Sequence, residues 1–390
     1  MPKKILIIDD SALMRRVLSD IIGSDKRFML SDAAGNGLEA YDLITTNPGK
    51  YDLLVLDINM PKMNGIQLLE KLNDKKIHIP TIMVSSIAKE GAVETIRCLE
   101  LGASDFITKP DNFLETKSDN FRDKVIRFMC GALGMPIEAS EAAPDTKPAA
   151  GRPLKPAPAV KDDKTPVSTG DRLGADGGPM SYVKITFNRK PHVKVSPKAE
   201  KLVAVACSTG GPKALHQVIP LLPANLNAPV VLVQHMPEGF TGTLAARLNE
   251  TSKVRVEEAS DGTVLKKGTV YIARGGKHMR IVRKGKDLAI SIGDDAPRNT
   301  LKPCADIMYE SLVNLALEEV VCVVLTGMGS DGTRGIGQLS QKTNCYVIAQ
   351  DEASSTVYGM PRMVKEAELT DEVVSLGSIA GAIADIVGTC

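Results

Sequence analysis

The chain has 390 residues, 43% of them hydrophobic, and its 48 basic and 47 acidic side chains leave a net charge of +1. That length accommodates two or three domains, the charge balance offers no polybasic footprint for nucleic acid, and no stretch approaches the roughly 18 apolar residues of a membrane span. The amino terminus lacks the apolar core and cleavage site of a signal peptide, and the seven cysteines include no C-x-x-C pair, so a reducing cytoplasm without disulfides or a zinc site is expected.

Residues 1–130 alternate strand and helix signals. Ile5–Ile8 reads as a buried strand, and Ser11 caps a helix with Leu13, Val17 and Ile21 on one face. A strand near Met29–Ala33, a helix from Gly37 to about Thr45, the strand Leu53–Leu56 and a helix from Gly65 follow. Then come the strand Thr81–Val84, the helix Gly91–Leu101, the strand Asp105–Ile107 and the helix Ser118–Met129. Non-alternating apolar strands in five β/α repeats predict a parallel sheet covered on both faces, an α/β domain of the flavodoxin-like kind.

The carboxyl ends of such strands gather the chemistry. Asp9 and Asp10 follow the first strand, Asp57 the third, Ser85 and Ser86 the fourth, Lys109 the fifth. Three converging carboxylates need a cation, which suggests a hard-ion site of the magnesium type. Helix capping by single Asp residues is the plainer alternative. The set Asp9–Asp10, Asp57 with Met60–Pro61–Lys62–Met63–Asn64–Gly65, Ser85 and Lys109–Pro110 resembles the response-regulator receiver domain over this whole segment. The resemblance implies that a histidine kinase serves as phosphodonor to Asp57. It also implies Mg²⁺ on Asp10 and Asp57 with Asp9 helping through water, Lys109 on the phosphate, and Ser85 as switch hydroxyl with Phe106 as its aromatic partner.

Residues 131–200, rich in Pro, Ala, Lys, Asp and Gly, lose hydrophobic periodicity and read as a mobile linker. Only Tyr182–Phe187 alternates like a strand. From residue 201 to 390 an α/β pattern resumes, predicting a doubly wound domain with a mainly parallel sheet. The strand Leu202–Ala206 stops at Ser208, and Gly210–Gly211 open a helix to about Leu222. The strand Pro229–Gln234 ends in His235, and Thr241–Glu250 is helical. Gly262–Lys267, Thr269–Ala273, Met279–Arg283 and Leu288–Ile292 are short extended pieces with a hairpin near Lys284–Lys286. A helix Lys302–Glu318 leads into the strand Val320–Thr326, which ends in Gly327–Met328–Gly329–Ser330–Asp331–Gly332. A short helix, the strand Tyr346–Ala349 and two helices finish the chain.

Ser208, His235 and Asp331 thus stand at three strand ends of one sheet, as the nucleophile, base and orienting carboxylate of acyl transfer would. Taken singly they also read as a helix cap, a loop histidine and a second helix cap. Gly327, Gly329 and Gly332 spell a dinucleotide fingerprint, with Asp351 about twenty residues on. Against it, an ionised Asp331 inside the turn would repel a pyrophosphate by roughly 4 kcal/mol at 4 Å and an effective dielectric of 20.

With the receiver in front, the motifs Ser208–Thr209–Gly210–Gly211, Gln234–His235–Met236–Pro237 with Gly239–Phe240–Thr241, and Leu325–Thr326–Gly327–Met328–Gly329 with Asp331–Gly332 resemble the chemotaxis response regulator protein-glutamate methylesterases. The resemblance implies hydrolysis of γ-glutamyl methyl esters on cytoplasmic helices of chemoreceptors with release of methanol, and deamidation of receptor glutamines. It places the oxyanion on backbone N–H near Met328, with no cofactor for the esterase step and no membrane insertion. Ala206–Cys207 depart from the family's usual Gly-Ala. Alternation along the strand sends Cys207 inward if Ser208 faces the crevice. The receiver is expected to cover the crevice until Asp57 is phosphorylated. A phospho-gated binding or scaffold protein is the alternative.

Overall fold

The computed structural model of the protein describes residues 1–85, 89–110, 118–135 and 187–390. The first lobe runs β1 (Lys3–Ile8), α1 (Ala12–Gly23), β2 (Phe28–Ala34), α2 (Gly37–Thr46), β3 (Leu53–Asp57), α3 (Gly65–Asp74), β4 (Thr81–Ser85), α4 (Lys89–Glu100), β5 (Asp105–Thr108) and α5 (Asp119–Ala132). Its five strands are parallel, in the order β2-β1-β3-β4-β5. The unbroken apolar run of β1 has a physical cause. Leu6 and Ile8 enter one core layer while Ile5 and Ile7 enter the other, so no position faces water. Side-chain caps start the helices: Ser11 accepts from Met14 N–H, and Asn64 with Gln67 forms a reciprocal capping box.

The second lobe opens with β6 (Lys201–Cys207), α6 (Gly211–Val218), β7 (Val230–Gln234), α7 (Phe240–Thr251), β8 (Arg255–Glu258) and β9 (Thr269–Ile272). The hairpin β10 (His278–Lys284) and β11 (Asp287–Gly293) and the helix α8 (Ala305–Leu312) follow. It closes with β12 (Glu319–Val324), α9 (Thr333–Lys342), β13 (Cys345–Gln350), α10 (Met360–Glu366), β14 (Glu372–Val374) and α11 (Ile379–Val387). Seven strands form one parallel sheet in the order β14-β13-β12-β6-β7-β9-β8. The chain winds outward from β6 through β7, then returns to build the other half from β12. Topology therefore reverses between β6 and β12, and open α/β sheets place their ligand crevice at such a point.

Several expectations change. The helix expected over Lys302–Glu318 is confined to Ala305–Leu312, and Ala316 with φ of 53° adopts a left-handed backbone that no helix continues through. Strands β8 and β14 were not foreseen, because four and three residues at the sheet edges carry too little periodicity. Gly262–Lys267 contributes only an isolated bridge, Val264 to Ala289. Of Tyr182–Phe187 only Phe187 is described, and its ring lies against Gly337, where a Cβ would come within 2.4 Å of it. Most of the expected linker lies outside the described residues. Its last part, from 187, runs along the second lobe, with Arg189 gripping Asp371 at 2.7 and 2.8 Å and Asn344 bonding both backbone groups of Val193.

Candidate active site and phosphorylation site

In the first lobe Asp9 and Asp57 are buried at the ends of β1 and β3, with Asp10 exposed beside them. One carboxylate oxygen from each lies within 4.8 Å of the others. Lys109, just past β5, reaches Asp9 Oδ2 at 3.0 Å and Asp57 Oδ2 at 2.7 Å. Burial raises the pKa of Asp57 against the pull of Lys109. Burial also works against the Lys109 ammonium, but Asp57 and Asp9 outweigh it and raise its pKa. An all-oxygen acidic cluster with a neighbouring ammonium fits a hard divalent ion and a phosphoryl group. Gly65 is required here, since a Cβ would lie 2.4 Å from the Asp57 carbonyl oxygen. Ser85 Oγ receives the Thr95 hydroxyl at 2.7 Å, and Ser86 lies outside the described residues.

In the second lobe the turn after β6 is fixed from three sides. Ser208 N–H donates to Thr326 O at 3.0 Å, Gln234 Nε2 donates to Ser208 O at 3.0 Å, and the Thr326 hydroxyl donates to Thr209 O at 2.9 Å. Gly210 takes φ of 77°, and a Cβ on Gly211 would stand 2.0 Å from Gln234 Oε1. The pairing Cys207↔Gln234 ends the β6–β7 ladder, and His235 N–H donates to the carbonyl of Cys207, the residue before Ser208, at 3.1 Å. Paired residues of parallel strands share a face. Cys207 is fully buried with its Sγ 3.0 Å from Gln234 Oε1, and burial pushes its thiol pKa far up. Ser208 and His235, the next residue along each chain, are half-buried.

His235 Nε2 is 2.7 Å from Asp331 Oδ2, which leaves Nδ1 as the nitrogen able to serve a hydroxyl. Asp331 is buried, and burial alone would favour its neutral form. His235 and the N–H groups of Asp306 and Ala305 outweigh that and hold its pKa at about 2. A fixed carboxylate, an imidazole and a hydroxyl at a strand-end turn can carry out nucleophilic acyl transfer. Gly327 follows β12 in direct contact with the turn, where a Cβ would lie 2.9 Å from Ser208 Cβ, and Met328 comes next with its backbone N–H in the same loop. Of the dinucleotide-like glycines, Gly332 donates its N–H to Asp306 and Asp331. The helix start that a pyrophosphate would need already serves carboxylates.

The first lobe meets this turn, and the described residues of the two lobes form one compact unit. Ser104 O accepts from Gly210 N–H at 3.1 Å, and the buried Asp105 takes a hydrogen bond from the Thr209 side chain. Phe106 and Phe240 have ring centroids 4.6 Å apart. Glu100 on α4 pairs with Arg247 and lies 3.7 Å from His216. Asp306 and Asp105 were not singled out from the sequence, and Gln234 and Thr326 stood there only as motif neighbours of His235 and Gly327. Each acts on a distant segment, on its backbone or, for Asp105, on the Thr209 side chain, and a polar residue in such a place carries no local signature.

Residues 203–383 match the CheB methylesterase family and residues 5–117 the response regulator receiver domain. The protein-glutamate methylesterase/protein-glutamine glutaminase of Halalkalibacterium halodurans is 38% identical over 97% of both chains. That of Bacillus subtilis is 36% identical over 98% of both. The solved Thermotoga maritima CheB methylesterase catalytic domain is 37% identical, covering 48% of this chain and 100% of that one, with a TM-score of 0.47. The chain belongs to the protein-glutamate methylesterase/protein-glutamine glutaminase family, a CheB methylesterase joined to a response-regulator receiver.

Proposed function

We propose that this protein hydrolyses glutamate γ-methyl esters, and deamidates glutamines, on the cytoplasmic helices of chemoreceptors, with Ser208 as nucleophile, His235 as base and Asp331 as the orienting carboxylate. The observation that carries the reading is the 2.7 Å His235–Asp331 contact, made by a histidine whose N–H bonds the carbonyl of Cys207, the residue before Ser208. His235 Nδ1 removes the Ser208 Oγ proton as Oγ bonds the ester carbonyl carbon, and Asp331 stabilises the imidazolium so formed. The carbonyl oxygen becomes an oxyanion held by backbone N–H at Met328. As the tetrahedral centre collapses, the carbon–methoxy oxygen bond breaks and His235 gives its proton to the departing methanol. Water then attacks the acyl-serine, losing a proton to His235, and the glutamate carboxylate and Ser208 hydroxyl are regenerated. From a glutamine the leaving group is ammonia.

Residues 1–130 act as the receiver, 131–200 as the connection, with its packed end from 187 on the second lobe, and 201–390 as the catalytic domain. A histidine kinase supplies the phosphoryl group to Asp57. Asp10 and Asp57, with Asp9, would hold Mg²⁺, which supplies charge neutralisation for a phosphoryl oxygen when bound. Lys109 takes a phosphate oxygen, and Ser85 is the switch hydroxyl. Strand β5 runs from Asp105 at the catalytic turn to Thr108 beside Lys109, so a phosphoryl group that re-aims Lys109 pulls on the strand that covers Thr209. Two states separated by a few kcal/mol suffice for such gating.

The test is methanol release from a methylated receptor. Ser208→Ala abolishes it, and Cys207→Ala, which truncates a buried side chain, retains most of it. Full activity in Ser208→Ala overturns the assignment.

A further inference from the structure

Asp331 does not stand alone. Its Oδ2 accepts from Ala305 N–H at 2.6 Å and its Oδ1 from Asp306 N–H at 2.9 Å, so it closes the amino end of α8. Asp306 returns the arrangement. Its Oδ1 accepts from Gly332 N–H at 3.0 Å and Gly335 N–H at 2.7 Å, closing the amino end of α9. Two helices from segments 25 residues apart in the chain thus exchange carboxylate caps, each supplied by the other segment.

The packing leaves the pair no slack. A Cβ on Gly335 would meet Asp306 O at 2.8 Å and Tyr309 Cβ at 2.8 Å. Asp306 is 5% exposed, and burial together with the neighbouring Asp331 charge pushes its pKa up to about 6. A buried acid beside another acid is an unfavourable choice for stability alone, while placing a carboxylate within fractions of an ångström is what acyl transfer demands.

We propose that Asp306 is a positioning residue of the esterase: by holding the N–H groups of Gly332 and Gly335 it fixes the Met328–Gly332 loop, and so sets Asp331 against His235. The inference rests on the reading of Ser208, His235 and Asp331 as the catalytic set. Asp306 reaches both N–H groups through a single oxygen, so an asparagine can reproduce the contact.

The test uses the full chain with a small-molecule phosphodonor and Mg²⁺, measuring methanol release at varied receptor concentration. Asp306→Ala lowers kcat roughly 10- to 100-fold, the range expected of a displaced catalytic group, with KM within about twofold. Asp306→Asn restores kcat to within about threefold of the parent. In an Asp331→Asn background, Asp306→Ala changes kcat less than about twofold, because the two act as one unit. Should the alanine variant not fold, Asp306→Glu takes its place, keeping the charge but displacing the acceptor, with the same expected loss.

An unchanged kcat in the alanine or glutamate variant overturns the proposal. So does an asparagine variant as slow as the alanine one, or a loss that repeats in full on the Asp331→Asn background. An Asp331→Asn enzyme that keeps the parent rate overturns the catalytic reading itself, and is told apart because it needs no change at Asp306.

Discussion

Thr209, the residue after the candidate nucleophile, donates its side-chain hydrogen bond to Asp105, a buried carboxyl of the receiver lobe. The next residue, Gly210, gives its N–H to the carbonyl of Ser104. The receiver lobe therefore holds the backbone of the turn that follows Ser208.

Removing that hold raises the resting rate. Loss of a buried hydrogen bond worth about 1–2 kcal/mol makes unphosphorylated Asp105→Ala roughly 5- to 30-fold faster than the parent, with the phosphodonor-saturated rate unaffected. Burial pushes Asp105 up to about 6. A raised acid pKa favours the packed form while the acid is neutral, so this contribution is full below the ordinary carboxyl value and is lost as pH rises through about 6. Protection of the Gly210 amide against hydrogen exchange accordingly weakens between pH 4 and 6.5 in the parent. The same slope in Asp105→Ala would sink the idea.

Asp331 carries the opposite sign. Its folded pKa of about 2 lies below the ordinary aspartate value of 3.8, so its contribution is present above pH 4 and lost as pH falls toward 2. At about 1.4 kcal/mol per unit, urea denaturation is expected to show about 2 kcal/mol less loss over that window in Asp331→Asn than in the parent. The same variant lowers kcat by roughly three to four orders of magnitude, as mis-set histidine tautomers do.

Gly327→Ala forces a Cβ to within 2.4 Å of Met360 Sδ and 2.9 Å of Ser208 Cβ. Met360 is fully buried, so the Ser208 turn moves. A loss of more than about 100-fold in kcat is expected, with far-ultraviolet circular dichroism retained. A variant that turns over normally would show that the turn tolerates displacement.

The acidic cluster of Asp9, Asp10 and Asp57 sets the last expectation. Chelating Mg²⁺, or making Asp57→Asn, removes activation by a phosphodonor and leaves the resting rate of methanol release in place. Activation that survives either treatment would place control elsewhere in the chain.

The strand runs Ile5–Ile8, Leu53–Leu56 and Leu202–Ala206 were legible because burial on both faces imposes unbroken apolar sequence, and the strand-end positions of Asp57, Ser208 and His235, with Asp331 in the loop after β12, followed from parallel-sheet topology. The burial of Cys207 was legible too, from the period of two along a strand. The edge strands Arg255–Glu258 and Glu372–Val374 were not, being too short to show a period. Nor were the partners that fix the site. Asp306 capping the helix after Gly332, Gln234 holding the Ser208 carbonyl and Asp105 holding Thr209 join segments 26 to 104 residues apart. Local sequence determined which residues could do chemistry and on which strand end they stand. Only the tertiary fold decided which distant backbone groups their neighbours would satisfy, because a buried carboxylate takes whatever N–H the packing brings to it.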